Sequence, residues 1–108
     1  MTSFIDTHCH LDKLDSTPEE AVKQAKQEGV KTMVTISVDE ESFDFVSKAV
    51  MQFKDVYGTI GVHPHDASEF RPSLEQGIRK LAREQDKLIA IGETGLDYHY
   101  MNLSLIHI

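Results

Sequence analysis

Two histidines, His8 and His10, stand two residues apart in the segment Asp-Thr-His-Cys-His near the start of the chain. The run from Phe4 to His8 predicts a short β-strand, and side chains two positions apart on a strand point to the same side. Divalent metals prefer neutral imidazole nitrogens, and two histidines on a rigid strand lose little entropy on binding one ion. The pair therefore predicts a metal site at the end of this strand, although simple hydrogen bonding at a strand end could also use these residues.

A glutamate, Glu93, directly follows the apolar run Leu88 to Gly92, which predicts a later strand. The C-terminal ends of parallel strands form the functional rim of α/β sheets and barrels, so Glu93 is expected at the same rim as the histidine pair. A carboxylate at such a strand end can be a structural ion-pair partner or a metal ligand. Its pairing with His8 and His10 favours the ligand interpretation.

A third polar group, His63-Pro64-His65-Asp66, follows the predicted strand Val56 to Val62. We interpret His63 as a residue that orders this loop, and it is also a candidate for a substrate contact or for orienting a metal ligand. His65 and Asp66 are candidates either for substrate contacts or for orienting metal ligands from behind, with a structural role as the alternative. Asp6 precedes the histidine pair on the same side of its strand and is a candidate to orient an imidazole.

Two other features near these residues are less informative about function. Cys9 lies between the histidines and points to the opposite side of the strand, which predicts a small core residue rather than a ligand. Tyr98, His99 and Tyr100 form a polar aromatic cluster just after Glu93. This cluster is interpreted as a loop that packs on the rim, with a wall that stacks a nucleic-acid base as the alternative.

The elements that must position these residues alternate regularly along the chain. Four predicted strands are separated by three predicted helices, with the strands about 25 to 30 residues apart, as in parallel α/β folds. Helix starts are predicted from a capping box at Thr17 to Glu20, a cap at Asp39 and a second capping box formed by Ser73 and Gln76. A doubly wound sheet and a (β/α)₈ barrel fit this order equally well.

Composition limits the function classes. The chain of 108 residues is at most one domain, and 11 Lys+Arg against 18 Asp+Glu give a formal net charge of −7. An electropositive surface that binds polyanions is therefore not expected. No apolar run approaches the roughly 18 residues of a membrane span, and no protein partner is evident. The single cysteine cannot form an internal disulfide, which favours a cytoplasmic setting.

Three segments resemble the signatures of the TatD family of metal-dependent hydrolases: residues 5–12, 60–65 and 91–99. They occur in the family's order and at similar spacing, and the resemblance covers residues 4 to about 101. It implies a TIM-type (β/α)₈ barrel, of which residues 1–102 supply the N-terminal half with about four βα units. Residues 103–108 do not continue the family pattern, which is compatible with a truncated or misread reading frame.

The resemblance also implies a chemistry. His8 and His10 would hold one divalent ion, and Glu93, as the catalytic carboxylate, would be shared with a second; Mg²⁺, Zn²⁺ or Mn²⁺ could serve. Two such ions lower the pKa of a bound water and neutralise charge on phosphate oxygens, which suits hydrolysis of phosphodiester bonds. The ions would also reverse the local field of an acidic chain. The expected function is a deoxyribonuclease with DNA as its substrate, acting from an end.

Two alternatives stay open. The same metal chemistry could cleave amides or esters, although related amidohydrolases commonly carry a carbamylated lysine where this chain has Glu93. The chain could also be a non-catalytic fragment, because the family uses two further histidines and an aspartate from later strands. We accordingly expect the 108 residues alone to be poorly folded and inactive, with open sheet edges lined by Ile5, Leu88, Ile89 and Ile91.

Overall fold

A computed structural model describes residues 2–98 as four strands and three helices in strict alternation. The strands are β1 (Phe4–Cys9), β2 (Val30–Thr35), β3 (Val56–Ile60) and β4 (Leu88–Ile91), and the helices are α1 (Pro18–Gln27), α2 (Glu40–Gln52) and α3 (Pro72–Glu84). Two 3₁₀ helices, Leu11–Lys13 and Pro64–Glu69, follow β1 and β3. The strands are parallel and lie in the order β1-β2-β3-β4, which confirms the predicted alternation.

The first two helices begin where their caps predict. The Thr17 hydroxyl accepts a hydrogen bond from the backbone N–H of Glu20, and Pro18 occupies the first helical position of α1. The Asp39 carboxylate accepts from the backbone N–H of Ser42 at 2.8 Å, so Asp39 caps α2. In the part of the chain that the structure describes, no helix is long and apolar enough to cross a membrane.

The predicted capping box at Ser73 and Gln76 is wrong. Helix α3 begins earlier, with Arg71 at the N-cap and Pro72 at the first helical position, and its cap makes no side-chain hydrogen bond. The fixed φ of proline suits the first helical position, so Pro72 starts the helix and places Ser73 inside its first turn. A serine there no longer has the extended backbone that a capping residue needs.

The core lies where α2 packs on β3. Val46 and Val50 on the helix and Val56 and Ile60 on the strand are almost completely buried. Gly58 lies between these strand residues, and a methyl group in its place would clash with Val46 and lie 3.1 Å from a methyl of Val50. Helix and strand therefore approach closely because position 58 has no side chain.

The outer strands of the described sheet, β1 and β4, expose apolar residues. Ile5 is 66% exposed, and Ile89 and Ile91 are 55% and 58% exposed. Leu88, which the sequence places in the same group, is instead buried at 9% exposure, because it packs on the core beside Gly58. Because β1 and β4 each have only one neighbouring strand in the described sheet, the free backbone edge of each can pair with a further strand.

Lys87 ties the start of β4 to the end of α2. Its ammonium donates hydrogen bonds to the carbonyl oxygens of Val50 and Phe53, both at 2.6 Å, and of Lys54 at 3.1 Å. The last carbonyls of a helix have no partner within the helix, so the ammonium satisfies groups that would otherwise need water. Desolvation lowers the pKa of Lys87, and the charge of Asp55 partly opposes this shift.

The ends of β3 and β4 approach closely at two glycines. A methyl group on Gly61 would lie 2.5 Å from the carbonyl carbon and oxygen of Gly92. The backbone N–H of Gly92 donates to the Ile60 carbonyl at 3.0 Å, and the Thr59 hydroxyl donates to the Gly92 carbonyl at 3.0 Å. These contacts hold the chain after β4 directly against the end of β3.

Ser37, just after β2, joins this arrangement from the other side. Its buried hydroxyl accepts a hydrogen bond from the backbone N–H of Gly61 at 3.0 Å. Its carbonyl oxygen accepts from the backbone N–H of Glu93 at 3.1 Å. The segments that follow three successive strands are therefore bonded to one another at the rim.

We expect Lys87→Met to lower the free energy of unfolding by about 1–3 kcal/mol, because three carbonyls in and just after the last turn of α2 lose their donor. Lys48→Met is the matched control, since Lys48 is exposed and, among the described residues, its one ion pair is with Asp44 on its own helix. Urea unfolding followed by circular dichroism measures both. Equal midpoints for the two variants would show that the Lys87 contacts contribute nothing.

We expect Gly61→Ala to lower the free energy of unfolding by about 1–3 kcal/mol, because its methyl group has no space beside Gly92. Gly77→Ala serves as the control: Gly77 lies in α3 with nothing within 4 Å of an added methyl. There the same substitution should raise stability by about 0.5–1 kcal/mol. Changes of the same sign in the two variants, measured by urea unfolding, would contradict this account of Gly61.

Candidate metal centre

His8 and His10 lie at the end of β1, and their rings face each other through Nε2 on one side of the strand. The Nε2 atoms of His8 and His10 are 3.3 Å apart, and the ring centroids are 5.1 Å apart at an interplanar angle of 70°. His8 is exposed and His10 is partly buried. The alternation of side chains along the strand brings the two rings together on one side, as the sequence predicts.

Glu93 reaches this pair from the other end of the described sheet. Its Oε2 atom lies 3.5 Å from Nε2 of His8 and 3.9 Å from Nε2 of His10. The hydrogen bond from its backbone N–H to Ser37 fixes the start of this loop over the sheet. Residues from the first and the fourth strand thus meet at the rim.

The three ligand atoms fit a divalent ion by type and spacing. Imidazole nitrogen and carboxylate oxygen are common zinc ligands, and tetrahedral bonds of about 2.0–2.1 Å place neighbouring ligand atoms about 3.3 Å apart. The observed separations of 3.3, 3.5 and 3.9 Å approach this value. His8, His10 and Glu93 can therefore hold one ion after small side-chain movements.

His63 contacts the same glutamate from the loop after β3. Its Nε2 atom is 3.1 Å from Oε1 of Glu93, the carboxylate oxygen that does not face the histidine pair. Its Nδ1 atom accepts a hydrogen bond from the backbone N–H of His65 at 3.2 Å. His63 thus orders its loop, as the sequence predicts, and also touches Glu93.

A second group of possible ligands lies beside the first. His63, His65 and Asp97 each offer an atom within 4.8 Å of the others, and the two imidazole centroids are 4.0 Å apart. Oδ2 of Asp97 is 3.8 Å from Nδ1 of each histidine. Asp97 is buried, which places a carboxylate behind the loop that carries both rings.

The remaining sequence candidates have more local contacts. Asp6 accepts a hydrogen bond from the backbone N–H of His8 at 3.0 Å, and this is a contact with the strand rather than with an imidazole. Asp66 lies 3.3 Å from Nε2 of its neighbour His65. Tyr98 is exposed, and the other members of its aromatic cluster, His99 and Tyr100, lie outside the described residues.

Cys9 lies on the side of β1 away from the histidines, as its position predicts. Its thiol packs against the core and donates to the Val34 carbonyl, with Sγ and O 3.4 Å apart. Burial raises the pKa of the Cys9 thiol to about 11, and the negative charge of Asp6 contributes to the shift. A thiol held in this way is poorly suited to metal binding, which requires the thiolate.

Sequence reasoning does not identify two residues that contact the site, Ser37 and Asp97. Ser37 ends a buried apolar run, and nothing in that run distinguishes it from other serines at strand ends. Asp97 has a weak signal, since it lies four residues after Glu93 in the same polar segment. Both act through contacts with residues that are distant in the chain.

The chain matches known sequences over most of its length. A sequence model of the family described as TatD related DNase matches residues 5–106. The chain is 33% identical over 106 residues to an uncharacterized metal-dependent hydrolase of Buchnera aphidicola subsp. Baizongia pistaciae, covering 92% of this chain and 38% of the relative. It is 35% identical over 81 residues to the 3'-5' ssDNA/RNA exonuclease TatD of Salmonella typhimurium, covering 75% and 31%.

A solved structure shows the same fold. The crystal structure of YjjV, a TatD homolog from Escherichia coli K12, superposes with a TM-score of 0.78 at 30% identity, covering 92% of this chain and 39% of that one. The chain therefore spans about two-fifths of that relative's length, and its strands and helices correspond to the first βα units of a TIM-type barrel. With the family model matched over nearly the whole sequence, this chain belongs to the TatD family of metal-dependent hydrolases.

Proposed function

We propose that His8, His10 and Glu93 belong to a divalent-metal centre that hydrolyses phosphodiester bonds of DNA. The convergence of two imidazole nitrogens and one carboxylate oxygen within 3.9 Å at the rim carries the proposal. The substrate class rests on the family description as DNase and on relatives named 3'-5' ssDNA/RNA exonuclease. Removal of nucleotides from a strand end follows from the same relatives.

The chemistry divides between the ions and the side chains. Divalent ions bound here would lower the pKa of a water and neutralise charge on the phosphate oxygens. His8 and His10 would bind through Nε2, because these atoms face each other and Oε2 of Glu93. Glu93 would contribute a permanent negative charge through a carboxylate whose two oxygens face different partners.

Two ions are part of the proposal, with Mg²⁺, Zn²⁺ and Mn²⁺ as candidates. Within residues 2–98, the group around Glu93 offers three side chains, whereas two ions need more ligands than three. We therefore propose that the 108 residues alone bind metal weakly and hydrolyse DNA poorly. Complete activity would need the further ligands that the family supplies from later strands.

The chain is acidic overall, so a nucleic-acid substrate would have to be attracted by the metal centre itself rather than by the net charge of the chain. A formal net charge of −7 repels a polyanion at long range. Bound divalent ions are the largest charges in such a site and reverse the field around them. The acidic chain thus favours recognition of phosphate at the metal centre rather than through a broad basic surface.

Hydrolysis of an amide or ester is the second candidate. It is favoured by relatives that are named only as metal-dependent hydrolases, without a substrate. Against it stands Glu93, which occupies the strand end where related amidohydrolases commonly carry a carbamylated lysine. A cytoplasmic location is also proposed, because the single cysteine, Cys9, is a partly buried free thiol and suits a reducing compartment.

We expect the 108-residue chain to bind Zn²⁺ and His10→Ala to weaken this binding by about 100-fold or more, because structural zinc sites distribute about 10–16 kcal/mol over four ligands. Cys9→Ala is the matched control: it changes the residue between the two histidines, whose side chain faces the core. Isothermal titration calorimetry gives the affinities. If His10→Ala bound zinc as tightly as Cys9→Ala, the metal centre would be wrongly placed.

We expect a chimaera that joins residues 1–98 to the remainder of the Escherichia coli homologue YjjV to release nucleotides from single-stranded DNA only with added divalent metal. Glu93→Gln in this chimaera should lower kcat/KM by roughly 100-fold or more, because several kcal/mol of charge stabilisation are lost. Release of nucleotides from a labelled oligonucleotide measures the rate.

Glu84→Gln provides the control, since Glu84 is an exposed glutamate at the end of α3. It should leave the rate within about twofold of the unsubstituted chimaera. Undiminished nucleotide release by Glu93→Gln would exclude a role for this carboxylate. Hydrolysis of amide or ester substrates without any release of nucleotides would favour the second candidate.

A further inference from the structure

The carboxylate of Glu93 divides its two oxygens between two neighbours. Oε2 faces His8 and His10, whereas Oε1 lies 3.1 Å from Nε2 of His63. A carboxylate on a flexible side chain can otherwise rotate about its last torsion, which is broad for glutamate. Whether Oε2 stays directed at the histidine pair therefore depends on what holds Oε1.

The backbone settles which nitrogen of His63 carries the proton. The N–H of His65 donates to Nδ1 of His63 at 3.2 Å, and a nitrogen that accepts a hydrogen bond cannot carry a proton itself. In neutral His63 the proton is therefore on Nε2. This is the nitrogen that faces Oε1 of Glu93, so an N–H group is directed towards a carboxylate oxygen.

The surroundings keep this ring in place. The backbone N–H of His63 donates to the Val38 carbonyl at 2.7 Å, and the next residue, Pro64, is buried at the start of a 3₁₀ helix. The imidazole of His65 packs against the His63 ring with centroids 4.0 Å apart. The ring is held by backbone and side-chain contacts on several sides, so it can act as a fixed support.

The same hydrogen bond argues against a separate metal ion between His63, His65 and Asp97. A metal at that group would bind the Nδ1 atom of His63, because Nδ1 is the atom nearest to Asp97, at 3.8 Å from its Oδ2. The lone pair of that nitrogen already accepts the His65 N–H. We therefore interpret this group as support for the centre at Glu93.

We propose that His63 is a positioning residue for Glu93: its Nε2–H donates to Oε1 and thereby keeps Oε2 directed at His8 and His10. The inference rests on the proposed metal centre and goes beyond it by giving His63 one tautomer and one partner. Removing a residue that orients a metal ligand commonly lowers the metal affinity by about 10–100-fold.

Two substitutions separate the two functions of the His63 ring. Asn places its amide oxygen near the position of Nδ1 and can still accept the His65 N–H, but it is too short to reach Glu93. Gln places its amide NH₂ near the position of Nε2 and can still donate to Oε1. We expect His63→Asn to weaken Zn²⁺ binding by the 108-residue chain about 10–100-fold and His63→Gln to stay within about threefold of the unsubstituted chain.

A spectroscopic measurement tests the tautomer independently. Long-range ¹H–¹⁵N correlation NMR of the metal-free chain should show His63 protonated on Nε2 and unprotonated on Nδ1. Circular dichroism checks that both variants keep their secondary structure, and if His63→Asn unfolds, the NMR result on the unsubstituted chain decides. An Nδ1–H tautomer, or zinc binding by a folded His63→Asn that equals the unsubstituted chain, would overturn the proposal.

These readouts are separate from hydrolysis. Failure of the chimaera to release nucleotides would remove the proposed activity while leaving the tautomer and the metal affinities as they are measured. Conversely, an active chimaera whose His63→Asn variant binds zinc as tightly as before would retain the proposed function and exclude His63 as a positioning residue.

Discussion

The arrangement of the rim depends on the absence of a side chain at position 61. The backbone of Gly92 lies against Gly61 so closely that a single methyl group would not fit. Because the two strand ends touch, the backbone N–H of Glu93 reaches past β3 and bonds to the carbonyl of Ser37. The position of the glutamate is thus set by backbone packing, before any contact of its carboxylate is made.

This backbone constraint explains how a short loop brings residues from the outer strands together. Glu93 follows β4, whereas His8 and His10 end β1, with two strands between them. Bending the chain after β4 over the end of β3 shortens this gap until the carboxylate lies among three imidazoles.

Sequence patterns predicted the elements well because helix and strand periodicities are local properties. The alternation of strands and helices, the cap at Asp39 and the common rim of His8, His10 and Glu93 all follow from spacing along the chain. The start of α3 was misplaced because Pro72 outweighed a nearby capping pattern. Ser37 and Asp97 could not be assigned, since their roles arise from hydrogen bonds and contacts across the sheet that leave no periodic signal.

The strand order has a consequence for how the protein is made. Each strand pairs with the strand that precedes it in the chain, so every new βα unit leaving the ribosome can add to an edge that already exists. His8 and His10 are synthesised first, and Glu93 joins them only when the last described strand has docked. During synthesis the growing chain therefore presents two imidazoles without the carboxylate, and these three side chains come together only after the four-stranded sheet that carries them has formed.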